Sequence, residues 1–162
     1  MHHAQTESTR PRILMVANET ADSEAVHEAI GQRARGSLDA EVLVIAPALN
    51  SRLRHWTSDE DDARRGAARR LDSCLRRLRQ EGLDATGGVG DADPLLAIED
   101  ALRVFAADEI IVATHAEGRS HWLARDFVAR ARARFWQPVV HVVAAPAIDD
   151  LAELARDEAT AA

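Results

Sequence analysis

Two kinds of hydrophobic pattern alternate along this chain. Residues 12–17 (Arg-Ile-Leu-Met-Val-Ala), 41–46, 108–114 and 138–143 carry short apolar runs without a polar alternation. Such runs suit strands covered on both faces, as in a parallel sheet. Between them apolar residues recur at helical spacing. Ala25, Val26, Ala29 and Ile30 form one stripe, with Glu24, His27 and Glu28 expected on the opposite, solvated face. Ala67, Leu71, Cys74, Leu75 and Leu78 form a second stripe, Leu95, Ile98, Leu102 and Phe105 a third, and Phe127, Val128, Ala131 and Phe135 a fourth. Arg125, Arg130, Arg132 and Arg134 read as the solvated face of that fourth helix.

The punctuation agrees with this reading. Gly36 and Gly82 are placed as helix stops. Ser58 with Asp61 resembles a capping box, and Asp93-Pro94 reads as an N-cap followed by the first helical position. Residues 84–90 (Asp-Ala-Thr-Gly-Gly-Val-Gly) make the weakest strand candidate, because three glycines lower strand stability and mark close backbone approach. The resulting order is β-α-β-α-β-α-β-α-β. Strict alternation with right-handed crossovers predicts an α/β fold: an open, doubly wound, five-stranded parallel sheet with helices on both faces. Residues 1–11 are polar and expected to be disordered, residues 12–144 form the single α/β domain, and residues 145–162 carry a tail helix through Ile148, Leu151, Leu154 and Ala155.

Composition narrows the function. At 162 residues the chain has the size of one domain. A net charge of -7 opposes generic nucleic-acid binding, since there is no excess of cations to displace counterions. All 20 basic residues are arginine, so Schiff-base and phosphate-loop lysines are excluded, and any anion must be held by arginine, backbone N–H groups or a metal. Cys74 is the only cysteine, which fits a reducing compartment. No apolar run approaches membrane-spanning length and no signal-peptide core opens the chain, so the expected location is the cytoplasm.

Candidate chemistry gathers in the loop after the fourth strand, Thr114-His115-Ala116-Glu117-Gly118-Arg119-Ser120. In an open parallel sheet ligands bind where strand carboxyl ends feed helix amino ends. Gly118, Arg119 and Ser120 offer close backbone approach, a forked donor and a capping hydroxyl, which together suit an anion. His115 as general base with Ser120 as nucleophile is the enzymatic alternative. His141 reads as a structural or interface residue in mid-strand, and Cys74 as a small core residue. Asp91 and Asp93 flank the start of the third helix, where capping and dipole arguments account for both and acid/base or Mg²⁺ roles are the alternative. The turn Ala17-Asn18-Glu19-Thr20 has no glycine, which excludes a dinucleotide fingerprint. No Walker loop, nucleophile elbow or cysteine pair with metal spacing occurs, and no metal site is expected.

Several of these features together resemble the universal stress protein family: strand one with its short polar turn, Gly90-Asp91 before Pro94 and Ile98, Ile110-Ile111-Val112 followed by Thr114-His115, and Pro138-Val139 closing with Val142-Val143. The resemblance spans residues 12–143. It implies a Rossmann-like, adenine nucleotide alpha hydrolase-like sheet, a homodimer paired through residues 139–143, and a regulatory role in stress response. Some members bind ATP through glycines after strand four. Here Ala113-Thr114-His115-Ala116 replaces the first pair, Arg125-Asp126 stands near the second, and Gly118 and Ser120 are displaced. The family's acid after strand one is Asn18, or Glu19 if shifted. The expectation is therefore a non-catalytic domain binding a nucleotide such as ATP or AMP, or another anionic small ligand, in a non-standard mode. Its pocket would be lined by Ala17, Asn18, Glu19, Ala46, Gly90, Asp91, Thr114, His115, Gly118, Arg119 and Ser120. Asn18 would hydrogen-bond a base or sugar, and Arg119 with the backbone would hold phosphate. The alternatives are a hydrolase or transferase using His115 and Ser120, and a ligand-free dimeric interaction protein using the dimer face and the segment around Trp56.

Overall fold

The computed structural model describes residues 10–34, 39–48, 59–115 and 121–144. Five strands, β1 (Arg12–Val16), β2 (Glu41–Pro47), β3 (Asp84–Gly90), β4 (Glu109–His115) and β5 (Val139–Ala144), alternate with α1 (Glu24–Ala34), α2 (Asp59–Gln80), α3 (Pro94–Val104) and α4 (His121–Arg134). The strands form one sheet in the order β3-β2-β1-β4-β5, and every pairing is parallel. The doubly wound architecture expected from the pattern is the one observed. The expected helix stop at Gly36, the capping box at Ser58, the segment around Trp56 and the tail helix lie outside the described residues.

Alternation along the strands divides the core in two. Ile13, Met15, Val42, Val44 and Ile111 pack with Val26 and Ile30 of α1 and Leu71, Cys74 and Leu78 of α2. Leu14, Val16, Ile110 and Val112 pack on the opposite face with Ile98 of α3 and Val128 and Ala131 of α4. β3 forms in spite of its glycines because two of them are demanded by packing. A Cβ on Gly87 would stand 2.5 Å from the Val44 carbonyl oxygen, and one on Gly90 2.7 Å from Ile45 and 2.9 Å from Ala97. The end of α2 needs glycine for a different reason: Gly82 adopts φ +87°, the left-handed region that closes a helix.

One expectation is corrected. His27 does not face solvent; it is 4% exposed. The α1 helix packs against α2 as well as against the sheet, so its buried arc is wider than the apolar stripe. Asp22 Oδ1 lies 3.4 Å from His27 Nε2 and Glu81 Oε1 lies 3.4 Å from Nδ1. Arg77 of α2 joins the same seam, 2.5 Å from Glu24, 3.4 Å from Glu81 and 3.9 Å from Asp22. Ser73 adds a hydrogen bond to Asp22 at 2.9 Å. Phe105, expected on the α3 stripe, is buried as the residue that caps that helix. No helix among the described residues is long and apolar enough to cross a membrane.

Candidate functional site

The strand order places a topological switch point between β1 and β4, where successive connections leave in opposite directions. The turn after β1 begins in the core. Ala17 is buried after β1, and Asn18, Glu19 and Thr20 follow it onto the carboxyl-end rim. Thr20 is also buried, and its hydroxyl donates to the Ala113 carbonyl of β4 at 3.1 Å, which joins the two sides of the crevice. A second bridge lies further out: His115 Nε2 stands 3.3 Å from Glu19 Oε2, both side chains partly or largely exposed. The crevice is thus spanned once by a buried hydroxyl and once by an exposed imidazole–carboxylate pair.

On the β2 side the rim is built around Asn18. Its Nδ2 donates to the Pro47 carbonyl at 2.8 Å, tying the end of β1 to the end of β2. Its Oδ1 accepts from Arg70 Nε at 3.0 Å and from Arg70 Nη2 at 2.6 Å. The amide orientation follows from chemistry, since a guanidinium only donates and a carbonyl only accepts. Asn18 keeps one free amide N–H, and both of its acceptor directions are taken. The side chain expected to read a base or sugar is therefore largely engaged within the protein. Arg70 comes from the middle of α2, and its Nη1 lies 3.4 Å from where a Gly66 Cβ would be.

The remaining expected residues occupy distinct places. Ala46 is buried in the core below the rim. Gly90 ends β3 where its hydrogen count serves helix packing, and its carbonyl accepts from Ala48 at 3.3 Å. Asp91 accepts from the Asp93 N–H and Asp93 from the Leu95 N–H, each at 2.8 Å, so both carboxylates are occupied in starting α3. Thr114 points to the α3/α4 face, where its Oγ1 lies 2.7 Å from His141 Nε2 of β5. It is thereby separated from His115, whose side chain leaves the opposite face of the strand. Gly118, Arg119 and Ser120 lie outside the described residues. The structure brings Asn18, Glu19 and His115 to one crevice, places Gly90 and Asp91 two strands away along the same rim, and adds Thr20 and Arg70.

Arg70 was not visible in the sequence because α2 contains seven arginines and nothing in their spacing marks one of them. Thr20 carried no distinct signal, being one of three consecutive polar residues between Ala17 and Ala21. Among the described residues no group of three or more His, Cys, Asp or Glu side chains is placed to hold a metal. Cys74 is fully buried, and burial, with Asp22 and Glu81 adding to it, pushes its thiol up to about 12. That removes it from nucleophilic chemistry at neutral pH.

No family model matches the sequence, and no curated protein matches it. Solved structures do match. A universal stress protein from Archaeoglobus fulgidus aligns over 82% of this chain and 98% of its own, with 18% identity and a TM-score of 0.55. The same organism's protein in complex with dAMP aligns over 82% and 97%, with 19% identity and a TM-score of 0.53. A universal stress family protein from Burkholderia pseudomallei aligns over 83% and 96%, with 19% identity and a TM-score of 0.56. Strand order, crossover pattern and near-complete coverage of those chains agree: this chain has the fold of the universal stress proteins.

Proposed function

We propose that the chain is a divergent universal stress protein, a regulatory rather than catalytic domain whose rim binds a nucleotide or another small anionic ligand. The observation that carries this reading is the crevice at the β1/β4 switch point, with Asn18, Arg70 and Glu19 on the β1 side and His115 facing Glu19 from β4. A neighbour of the same fold binds dAMP, which supports a nucleotide as the ligand. Binding here departs from the family's usual mode, because the acid after β1 is replaced by an amide already held by an arginine.

The functional unit is a homodimer. Among the described residues β5 pairs only with β4 and forms an edge of the sheet, and its Val143 is 45% exposed. An apolar edge strand demands cover, and a two-fold partner supplies it. Denaturing the purified protein and identifying any released small molecule by mass spectrometry tests the ligand; thermal shifts with AMP, ADP and ATP test the class. A protein that releases nothing and shows no shift with any of the three would overturn the nucleotide reading. Light scattering on Val143→Glu tests the assembly, which is expected to fall to a monomer.

A second reading is kept alive by the Glu19–His115 pair, since a carboxylate that orients an imidazole is what a general base requires. An acyl or phosphoryl adduct on Ser120, lost in His115→Ala, would favour that reading.

A further inference from the structure

We infer that Arg70 is the anion receptor of the rim, and that it takes a phosphate group without a divalent metal. The inference rests on the reading of the rim as a small-anion site and adds the residue, the charge balance and the metal independence.

Four arginines among the described residues are partly buried: Arg12, Arg33, Arg70 and Arg77. Three of them face a carboxylate. Arg12 lies 3.2 Å from Glu41, Arg33 lies 3.0 Å from Glu109, and Arg77 lies 2.5 Å from Glu24. Arg70 alone is held by a neutral group, the Asn18 carbonyl oxygen, and among the described residues no carboxylate lies at ion-pair distance from it. A charge drawn partly out of water without a counter-charge is unfavourable, and a bound anion offsets it. The guanidinium has five N–H donors. Two point at Asn18, which fixes the plane of the fork and leaves three donors for a ligand. Holding an arginine through a neutral acceptor is an effective way to aim it while keeping its charge available.

The residue at position 18 decides the charge of the site. An aspartate there would close an ion pair with Arg70 and cancel its charge. Its remaining oxygen would also offer a metal a place beside the phosphates. The amide does neither, so phosphate charge meets arginine directly, in the forked geometry that matches it. The group recognised is a phosphate dianion, free or as the 5′-phosphate of a nucleoside monophosphate. Asn18 serves as the positioning residue and Arg70 as the contact.

Isothermal titration of the full chain with inorganic phosphate and with AMP, each in EDTA and in Mg²⁺, tests this. Affinity is expected to be the same with and without the metal. Arg70→Gln is expected to weaken phosphate binding by about tenfold or more, the order of a lost charge-assisted hydrogen bond, and Arg70→Lys by less. Asn18→Asp preserves shape, keeps Arg70 engaged and so tests charge without threatening the fold; it is expected to weaken phosphate binding as much as Arg70→Gln. Phosphate affinity unchanged in both variants, tighter binding by Arg70→Gln, or binding that needs Mg²⁺ would each overturn the inference. The two readings separate cleanly. AMP binding equally to the wild type and to Arg70→Gln removes this inference and leaves the rim reading standing. Phosphate held through Arg70 while AMP binds no tighter than phosphate removes the nucleotide reading and leaves this inference. Neither probe binding to the wild type removes both.

Discussion

The two faces of the sheet bury comparable aliphatic cores but differ in what lies between their helices. Under α3 and α4, Leu14, Val16, Ile98, Ile110, Val112 and Val128 form an aliphatic core, and among the described residues the charged link between those helices, Arg134 to Glu99, is a single partly exposed pair. Over the other face the contact between α1 and α2 is a polar seam. It runs from Asn18 and Arg70 at the rim, through Asp22 and Ser73, to His27, Arg77 and Glu81. One face is held mainly by burial, with its charged links few and partly exposed. The other combines burial with positioned charge, and the side chains that could recognise a ligand come from it.

The sharpest way to break this comparison is to truncate each core in turn. Ile98→Ala and Leu78→Ala, both fully buried, are each expected to cost about 2–5 kcal/mol in urea denaturation. A much smaller loss for Leu78 would mean that the seam, and not burial, holds the α1/α2 face. The next test uses neighbouring glycines on β3. Gly87→Ala sets a methyl 2.5 Å from the Val44 carbonyl and 2.8 Å from Leu71 under α2, and is expected to cost about 1–3 kcal/mol. Gly88→Ala meets nothing within 4 Å and is expected to be neutral or to stabilise by about 0.5 kcal/mol. Equal effects would show that the α2 side of β3 is not the closed one.

Smaller still is the loss of a cap on the α3/α4 face. Asp93→Ala removes the bond to the Leu95 N–H, and about 1 kcal/mol of stability is expected to go with it. The least effect at neutral pH belongs to Cys74→Ala, which sharpens the picture only in alkali. Burial raises the folded thiol from an ordinary 9.0 to about 12, so the neutral form is favoured by folding. The associated stability is complete below about pH 9 and is lost as pH rises toward 12. Comparing urea midpoints at about pH 8 and about pH 10.5 should show a decline in the wild type that is shallower in Cys74→Ala.

Most of the architecture was legible because it is written in local pattern. Unalternating runs identified β1, β2, β4 and β5 to within a residue or so at each end, and Asp93-Pro94 marked the start of α3. β3 was legible only as a weak candidate, since the reason for its glycines lies in Val44, Ile45 and Ala97, contacts that sequence neighbours do not reveal. The site was less legible. Asn18, Glu19 and His115 stand where strand ends place them, whereas Arg70 reaches Asn18 across 52 positions. His27 was assigned to the wrong side because periodicity measures a helix against one surface, and α1 has two. Ala17 and Ala46, expected among the lining residues, are both buried near the ends of β1 and β2.

The Thr20 hydroxyl has a consequence for how such a site can change. It is a buried clasp between the turn after β1 and the carboxyl-terminal end of β4. The gap between the two loops is therefore gauged from inside, independently of whatever either loop displays. Residues further out can be exchanged, lengthened or recharged without the slot widening or collapsing. A lineage of such proteins could trade one anion for another while keeping the same aperture, and replacing Thr20 with valine would be the single substitution that ungauges it.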